Sequence, residues 1–384
     1  MSPKVAIVVP GRFHLFNLAQ QLLKRGYLSQ LITSYPKSET KKWGIPADKV
    51  NSILIKEILF RGWQELPKIL RGIYDPQFLI HQIFDYLSCS LLKRADLVVG
   101  GSSAFLKTLK RARSNGAVTI VEHGSTHIEY QRDILLEEYD RFGIKPESGQ
   151  IPHPRIVEKE LEEYKETDYI SIPSSFVKRT FLDKGIPEDK LLCIPYGVDL
   201  SRFQQVSRGD NVFRIVFAGT ICLRKGVQYL LKAFSELNLP DSELVFMGTV
   251  SEDIKGILKQ YGGGCLVKHI PHFELYKHYS QGSVFVLPSI EEGLARVLFE
   301  AMACGLPVIA TPNTGAEDII ENGKQGFIVP IRDVEALKEK ILYLYEHQDI
   351  AKQMGQLAKQ KVSTGYTWDD YGDRVISVYE KIIQ

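Results

Sequence analysis

The chain has 384 residues, 44% hydrophobic and 24% charged, with a formal net charge of +2 and five cysteines. That length fits two domains of roughly 100–200 residues rather than one core, and the composition excludes disorder, fibrous repeats and a disulfide scaffold. The first apolar run, Val5 to Pro10, is too short for a signal peptide, and no run approaches the ~20 apolar residues of a bilayer span, so a cytoplasmic protein is expected, at most peripheral to a membrane.

Charge is unevenly placed. Residues 1–120 hold 18 Lys+Arg against 7 Asp+Glu, and the remainder holds 30 against 39. A basic first third predicts an anionic partner, and a solvated lysine-rich surface accounts for the charge equally well. The partner expected is an anionic membrane surface, and nucleic acid is not expected.

In chain order, KVAIVVP is a short β-branched run, GRFHL breaks it, and FNLAQQLLKRG has helical spacing with a stop at Gly26. Gly11 stands alone after this strand, flanked by Arg12 and His14. Without a G-x-G-x-x-G, a nicotinamide dehydrogenase is disfavoured. The segment at residues 56–74, KEILFRGWQELPKILRGIY, mixes apolar residues with Lys56, Arg61, Lys68 and Arg71. Lying on a membrane is one reading; Gly62 and Pro67 interrupt a long interfacial helix, and a core-facing helix is preferred.

Further strands at ADLVVGG, AVTIVEHG and TDYISIPS alternate with helical material, the pattern of a parallel α/β sheet. His123 lies just beyond the third strand's end, where parallel sheets bind ligands, with Glu122 beside it and His127 four residues on. Either histidine is a site candidate, His123 first. After YGVD, the polar QQVSRGDN reads as a linker. A second series follows: strands FRIVFAG, SELVFMG, CLVKHI, SVFVLPS, PVIAT and GFIVP, with helices at GVQYLLKAFSEL, VLFEAMACG and VEALKEKILYLYEH. The fold class predicted is α/β, two Rossmann-like doubly wound domains, 1–196 and 197–365.

Chemistry concentrates in the second series. In FAGTICLRKGVQYLLKAF a strand and Gly219 precede Arg224-Lys225, which open a helix and offer cations to a diphosphate. In SVFVLPSIEEGLARVLFEAMACG a strand ends at Pro288-Ser289, a loop carries Glu292-Gly293, and a helix starts near Leu294 to Val297. A helix start of this kind presents free N–H groups and a positive end to phosphate. Glu300, in the first turns, reaches a hydroxyl of whatever binds there, and ribose is the natural candidate. No D-x-D pair stands at a strand end, and the cysteines show no C-x-x-C spacing, so no metal is expected.

These motifs, with seven residues between Glu292 and Glu300, EAMACG-P-VI after them and GAEDIIENG from Gly315 to Gly323, resemble the retaining glycosyltransferases of family 4, which have the GT-B fold of two facing Rossmann-like domains. The resemblance implies that Glu292 lies by the donor sugar, Glu300 bonds the nucleotide ribose, and Lys225 binds phosphate. Thr220 stands where the family has arginine, and Arg224 either takes that arginine's place or leaves it unfilled. His123 then faces the donor sugar, Gly11 belongs to the loop near the donor phosphates or acceptor, and Gly219, Ile270, Gly293, Leu294, Ala295, Arg296 and Val297 complete the donor site. Tyr196 stands where asparagine is commoner.

The ending YTWDDYGDRVISVYEKII resembles the family's last helix and implies that residues from about 366 to 384 pack back on the first domain. The activity implied is retaining transfer of a sugar from a UDP- or GDP-sugar to a glycan, lipid-linked or small-molecule acceptor, by a front-face route with no cofactor or metal required. Its rivals are another GT-B enzyme, such as an epimerase or a pyridoxal-phosphate phosphorylase, and a non-catalytic nucleotide-sugar-binding protein.

Overall fold

The computed structural model describes residues 3–65, 76–262 and 264–383. Seven strands form the first sheet: β1 (Val5–Val9), β2 (Leu28–Thr33), β3 (Val50–Ser52), β4 (Leu97–Gly101), β5 (Val118–Glu122), β6 (Tyr169–Ile172) and β7 (Leu191–Cys193). Six form the second: β8 (Phe213–Ala218), β9 (Ser242–Met247), β10 (Cys265–Lys268), β11 (Val284–Leu287), β12 (Val308–Ala310) and β13 (Gly326–Ile328). The orders are β3-β2-β1-β4-β5-β6-β7 and β10-β9-β8-β11-β12-β13, and every pairing is parallel.

The central strands, such as VAIVV in β1 and VFVL in β11, are buried throughout, as sheets covered by helices on both faces require. In each sheet the order reverses beside the first strand, between β1 and β4 and between β8 and β11, and a crevice opens beyond the strand ends at such a point.

Three strands of the first sheet were not predicted. β3 and β7 are three-residue edge strands, too short for a periodic signal. β2 carries Gln30 inside it, which reads as polar but is buried because its amide donates to Asn51 Oδ1 at 2.8 Å and the Leu91 carbonyl at 2.9 Å. The preferred reading of residues 56–74 is also corrected. Helix Ile55–Gln64 has no buried residue among those described, and Ile55 and Ile58 are exposed. The part of the segment holding Pro67, Lys68 and Arg71 lies outside the described residues.

The chain passes between the sheets twice, at residues 194–212 and 364–367, and the two passages touch. Val198 N donates to the Tyr366 carbonyl at 2.8 Å, and a Cβ at Gly197 would lie 2.5 Å from the Thr367 carbonyl, so only glycine fits. After the second passage, helix Trp368–Ile383 lies on helix Leu15–Lys24. Lys24 pairs with Asp369 at 2.8 Å, and Arg25 donates to Asp373 Oδ1 and the Asp369 carbonyl.

Candidate active site

A cleft of about 770 Å³ lies between the sheets, walled by residues just past the ends of β1, β4 and β5 on one side and of β8 and β11 on the other. Of the predicted donor residues, Gly219, Lys225, Ile270, Glu292 and Glu300 line it, with the run Leu294 to Val297; from the first sheet comes His123. Helix Arg296–Ala303 opens here with Ala295 as its cap and no side-chain capping bond. The Ala295 amide is taken by the Thr314 carbonyl at 3.1 Å, while those of Arg296 and Val297 have no partner among the described residues.

Glu292 turns to the two cations. Its Oε1 accepts from Arg224 Nη1 at 2.8 Å and contacts Lys225 Nζ. The Glu300 carboxylate accepts from Tyr279 Oη at 3.2 Å and meets His272 Nε2 at 3.2 Å, a pair that fixes its direction at the cleft wall.

Glu291, adjacent to Glu292, behaves differently and was not singled out from the sequence. It is fully buried and reaches across to the first half: its Oε1 accepts from Ser125 Oγ at 2.6 Å and Thr126 Oγ1 at 2.7 Å, and its Oε2 from Gln131 at 3.1 Å. Burial alone would raise this carboxyl, but the Arg224 guanidinium and the three donors outweigh it and hold it below the usual carboxylate value. Two further buried ties cross the same boundary: Glu138 accepts from Gln228 at 2.8 Å, and Tyr139 donates to Asp253 at 2.7 Å.

Five predicted residues do not line the cleft. Gly11 is packed beneath the Phe13 ring, where a Cβ would lie 2.4 Å from a ring carbon, and Phe13 and His14 form the wall instead. Thr220 is exposed to one side. Arg224 donates to the Glu291 carbonyl at 2.9 Å and to Glu292, and so holds the carboxylate loop in the free chain. Gly293 is an inter-half contact: a Cβ there would sit 2.0 Å from the Gly124 carbonyl, and its own carbonyl accepts from Ser174 Oγ at 2.7 Å. His127 caps helix Ile128–Arg141, its Nδ1 accepting from Glu129 N at 3.3 Å, and burial pushes its imidazole down from 6.5 to about 4.

His123 is therefore the histidine of the pair that reaches the cleft. Its ring packs edge-on against Tyr164 and Phe181, and Nε2 donates to the Thr126 carbonyl at 2.7 Å. Its Nδ1 lies 3.7 Å from Glu160, a cleft residue brought in by helix Pro154–Glu166. No motif surrounds Glu160, and the apolar spacing of that helix is its only signal.

Two doubly wound parallel sheets facing across a ligand-sized cleft define the GT-B class of glycosyltransferase folds. The likeness extends to solved structures at full length: Anabaena Alr3699/HepE in complex with UDP and glucose (TM-score 0.71, 14% identity, 99% of this chain and 100% of that one) and a glycosyltransferase of Rickettsia africae (TM-score 0.70, 18% identity, 100% and 99%). Residues 12–202 match Glycosyltransferase Family 4 and residues 200–361 match Glycosyl transferases group 1, and the chain belongs to glycosyltransferase family 4.

Among curated relatives, the capsular polysaccharide biosynthesis glycosyltransferase CapM of Staphylococcus aureus is 26% identical over 57% of this chain and 62% of its own length. The GDP-mannose-dependent alpha-(1-6)-phosphatidylinositol monomannoside mannosyltransferase of Mycolicibacterium smegmatis is 27% identical over 55% and 61%. The matched spans thus cover less than two thirds of these relatives.

Proposed function

We propose that the protein is a retaining glycosyltransferase that moves a sugar from a nucleotide-diphosphate sugar to a glycan or lipid-linked acceptor. The supporting observation is the convergence of Lys225, the open amides of Arg296 and Val297, Glu292 and Glu300 on one cleft. In this reading the diphosphate sits on those amides and Lys225, Glu300 takes the ribose hydroxyls, and Ile270 offers an apolar surface to the base. The anomeric C–O bond to phosphate breaks as the acceptor oxygen bonds the same carbon on the same face, and the departing phosphate oxygen takes the acceptor's proton. Positive charge on the sugar and negative charge on the phosphate grow together, so fixed groups of opposite sign stabilise the transition state without reorganising. Glu292 and His123 orient the sugar, and neither a metal nor an organic cofactor takes part.

Lys225 and Glu292 are paired in the free chain. A diphosphate competes for the lysine with more charge than one carboxylate has, and its arrival leaves Glu292 held by Arg224 alone, beside the sugar. The named substrates of the relatives and neighbours, a GDP-mannose dependence in one and bound UDP in another, support a UDP- or GDP-sugar donor. We place the division between acceptor and donor domains at residues 196 and 197. The exposed apolar face of helix Ile55–Gln64, in the basic first third, supports contact with an anionic membrane surface.

A thermal-shift panel of nucleotide sugars tests the donor reading. A donor at 100 times its Kd stabilises the fold by about 2.7 kcal/mol. A flat response to every UDP- and GDP-sugar overturns it.

A further inference from the structure

The cleft floor carries a polar cluster that the diphosphate and ribose contacts do not use. Glu122 ends β5, His14 precedes helix Leu15–Lys24 and Tyr196 follows β7, and all three are buried at the cleft wall. His14 Nε2 lies 2.9 Å from Glu122 Oε1. A carboxylate only accepts, so Nε2 is the donor in this contact. The His14 ring lies 4.4 Å from the Tyr196 ring, which fixes both orientations.

Among the described residues, Glu122 Oε2 and Tyr196 Oη have no hydrogen-bond partner. A buried polar atom left so costs about 1–3 kcal/mol, and two converging on one cavity point to a ligand that satisfies them. Burial and the Glu122 charge push the Tyr196 phenol well above its ordinary value, so it remains a donor.

Gly124 lines the cleft beside them, and a Cβ there would lie 3.2 Å from Tyr196 Oη and 3.5 Å from His14 Cε1, so any side chain at this position crowds the group.

We propose that Glu122, Tyr196 and His14 form a subsite for two neighbouring hydroxyls of a neutral sugar ring. One hydroxyl donates to Glu122 Oε2 and the next accepts from Tyr196 Oη, while His14 holds the Glu122 carboxylate in place. A sugar carboxylate is repelled by Glu122, so the subsite selects neutral over acidic sugars. The inference rests on the sugar-transfer reading of the cleft, and the hydroxyls belong either to the transferred sugar or to the acceptor, with the same chemistry.

The test compares full-length wild type with Gly124→Ala, which crowds Tyr196 Oη, and with Glu122→Gln and Tyr196→Phe, which each alter one contact. Calorimetry measures UDP, GDP, UDP-glucose and GDP-mannose, and steady-state kinetics follow donor hydrolysis and transfer to a panel of methyl glycosides. If the subsite holds the donor sugar, the variants bind the nucleotide sugar about tenfold or more weakly while UDP or GDP binds as before, the loss expected for one or two hydrogen bonds. If it holds the acceptor, nucleotide-sugar affinity and hydrolysis are retained while the acceptor KM rises by a similar factor. The proposal is overturned if all three variants keep nucleotide-sugar affinity and acceptor KM within about twofold, well under one hydrogen bond's worth. A wild type that binds none of the four nucleotides fails differently: it removes the sugar-transfer reading and takes the subsite with it.

Discussion

The two halves share a topology, third-second-first-fourth-fifth-sixth from one edge, yet they build their sides of the cleft differently. On the C-terminal side, Glu292, the helix opening at Arg296 and Glu300 come from one run of nine residues, joined by Lys225. On the N-terminal side, His14, Glu122, Glu160 and Tyr196 come from four separate places along the chain. A site that grips a constant moiety such as diphosphate-ribose can be made from one turn and one helix end. A site for a variable partner is assembled from strand ends, each free to change alone.

Glu292→Ala breaks this comparison at its strongest point. If the C-terminal run carries the chemistry, turnover falls by about 10²–10³-fold, as for loss of one preorganised electrostatic group, while nucleotide affinity measured by calorimetry changes far less. Equal turnover in the variant removes the assignment.

Glu291→Ala tests the boundary between the halves. It strands the donors of Ser125, Thr126 and Gln131 in a buried place, so the unfolding free energy from urea denaturation drops by about 2–3 kcal/mol. A change below 0.5 kcal/mol, the level of ordinary surface substitutions, contradicts the clasp.

His127 sharpens the N-terminal side. Its folded imidazole stays neutral until about pH 4, whereas the unfolded chain takes up the proton near 6.5. The unfolded state binds more protons between those values, so stability falls as pH falls through that window. At pH 5 the loss relative to pH 7 is about 2 kcal/mol. His127→Asn keeps a capping acceptor and removes that part of the pH dependence, and parallel denaturation curves at the two pH values measure the difference. Indistinguishable pH dependence in the two proteins rules the effect out.

The smallest effect expected is at the exposed helix. Ile58→Ser weakens co-sedimentation with anionic vesicles by about 1 kcal/mol, part of the transfer energy of one apolar side chain, and raising salt weakens both proteins. Wild type that ignores lipid charge ends the membrane reading.

The C-terminal half was the more legible in sequence. Its six strands are apolar runs bounded by turns, and most of its cleft residues lie in the segments that follow β8 and β11. In the first half, Gln30 hid a strand because its burial depends on Asn51 and Leu91, which only the folded sheet brings near. Glu291 and Glu292 are identical neighbours with opposite fates, one facing Ser125, Thr126 and Gln131 and the other the cleft, and nothing local separates them. The partners of Arg224 were hidden for the same reason: nothing local shows that the Glu291 carbonyl and the Glu292 carboxylate engage it. His127 read as a rival to His123 until the start of its helix fixed it as a cap.

The paired passages at Gly197 and Thr367 have a mechanical consequence. Two chain crossings bonded to one another act as a pin: sliding one half past the other would shear the Val198 to Tyr366 bond, whereas swinging about the line of contact leaves it intact. Any such swing must also part the Glu291 bonds to Ser125, Thr126 and Gln131, so the crossings and the clasp together resist both sliding and swinging.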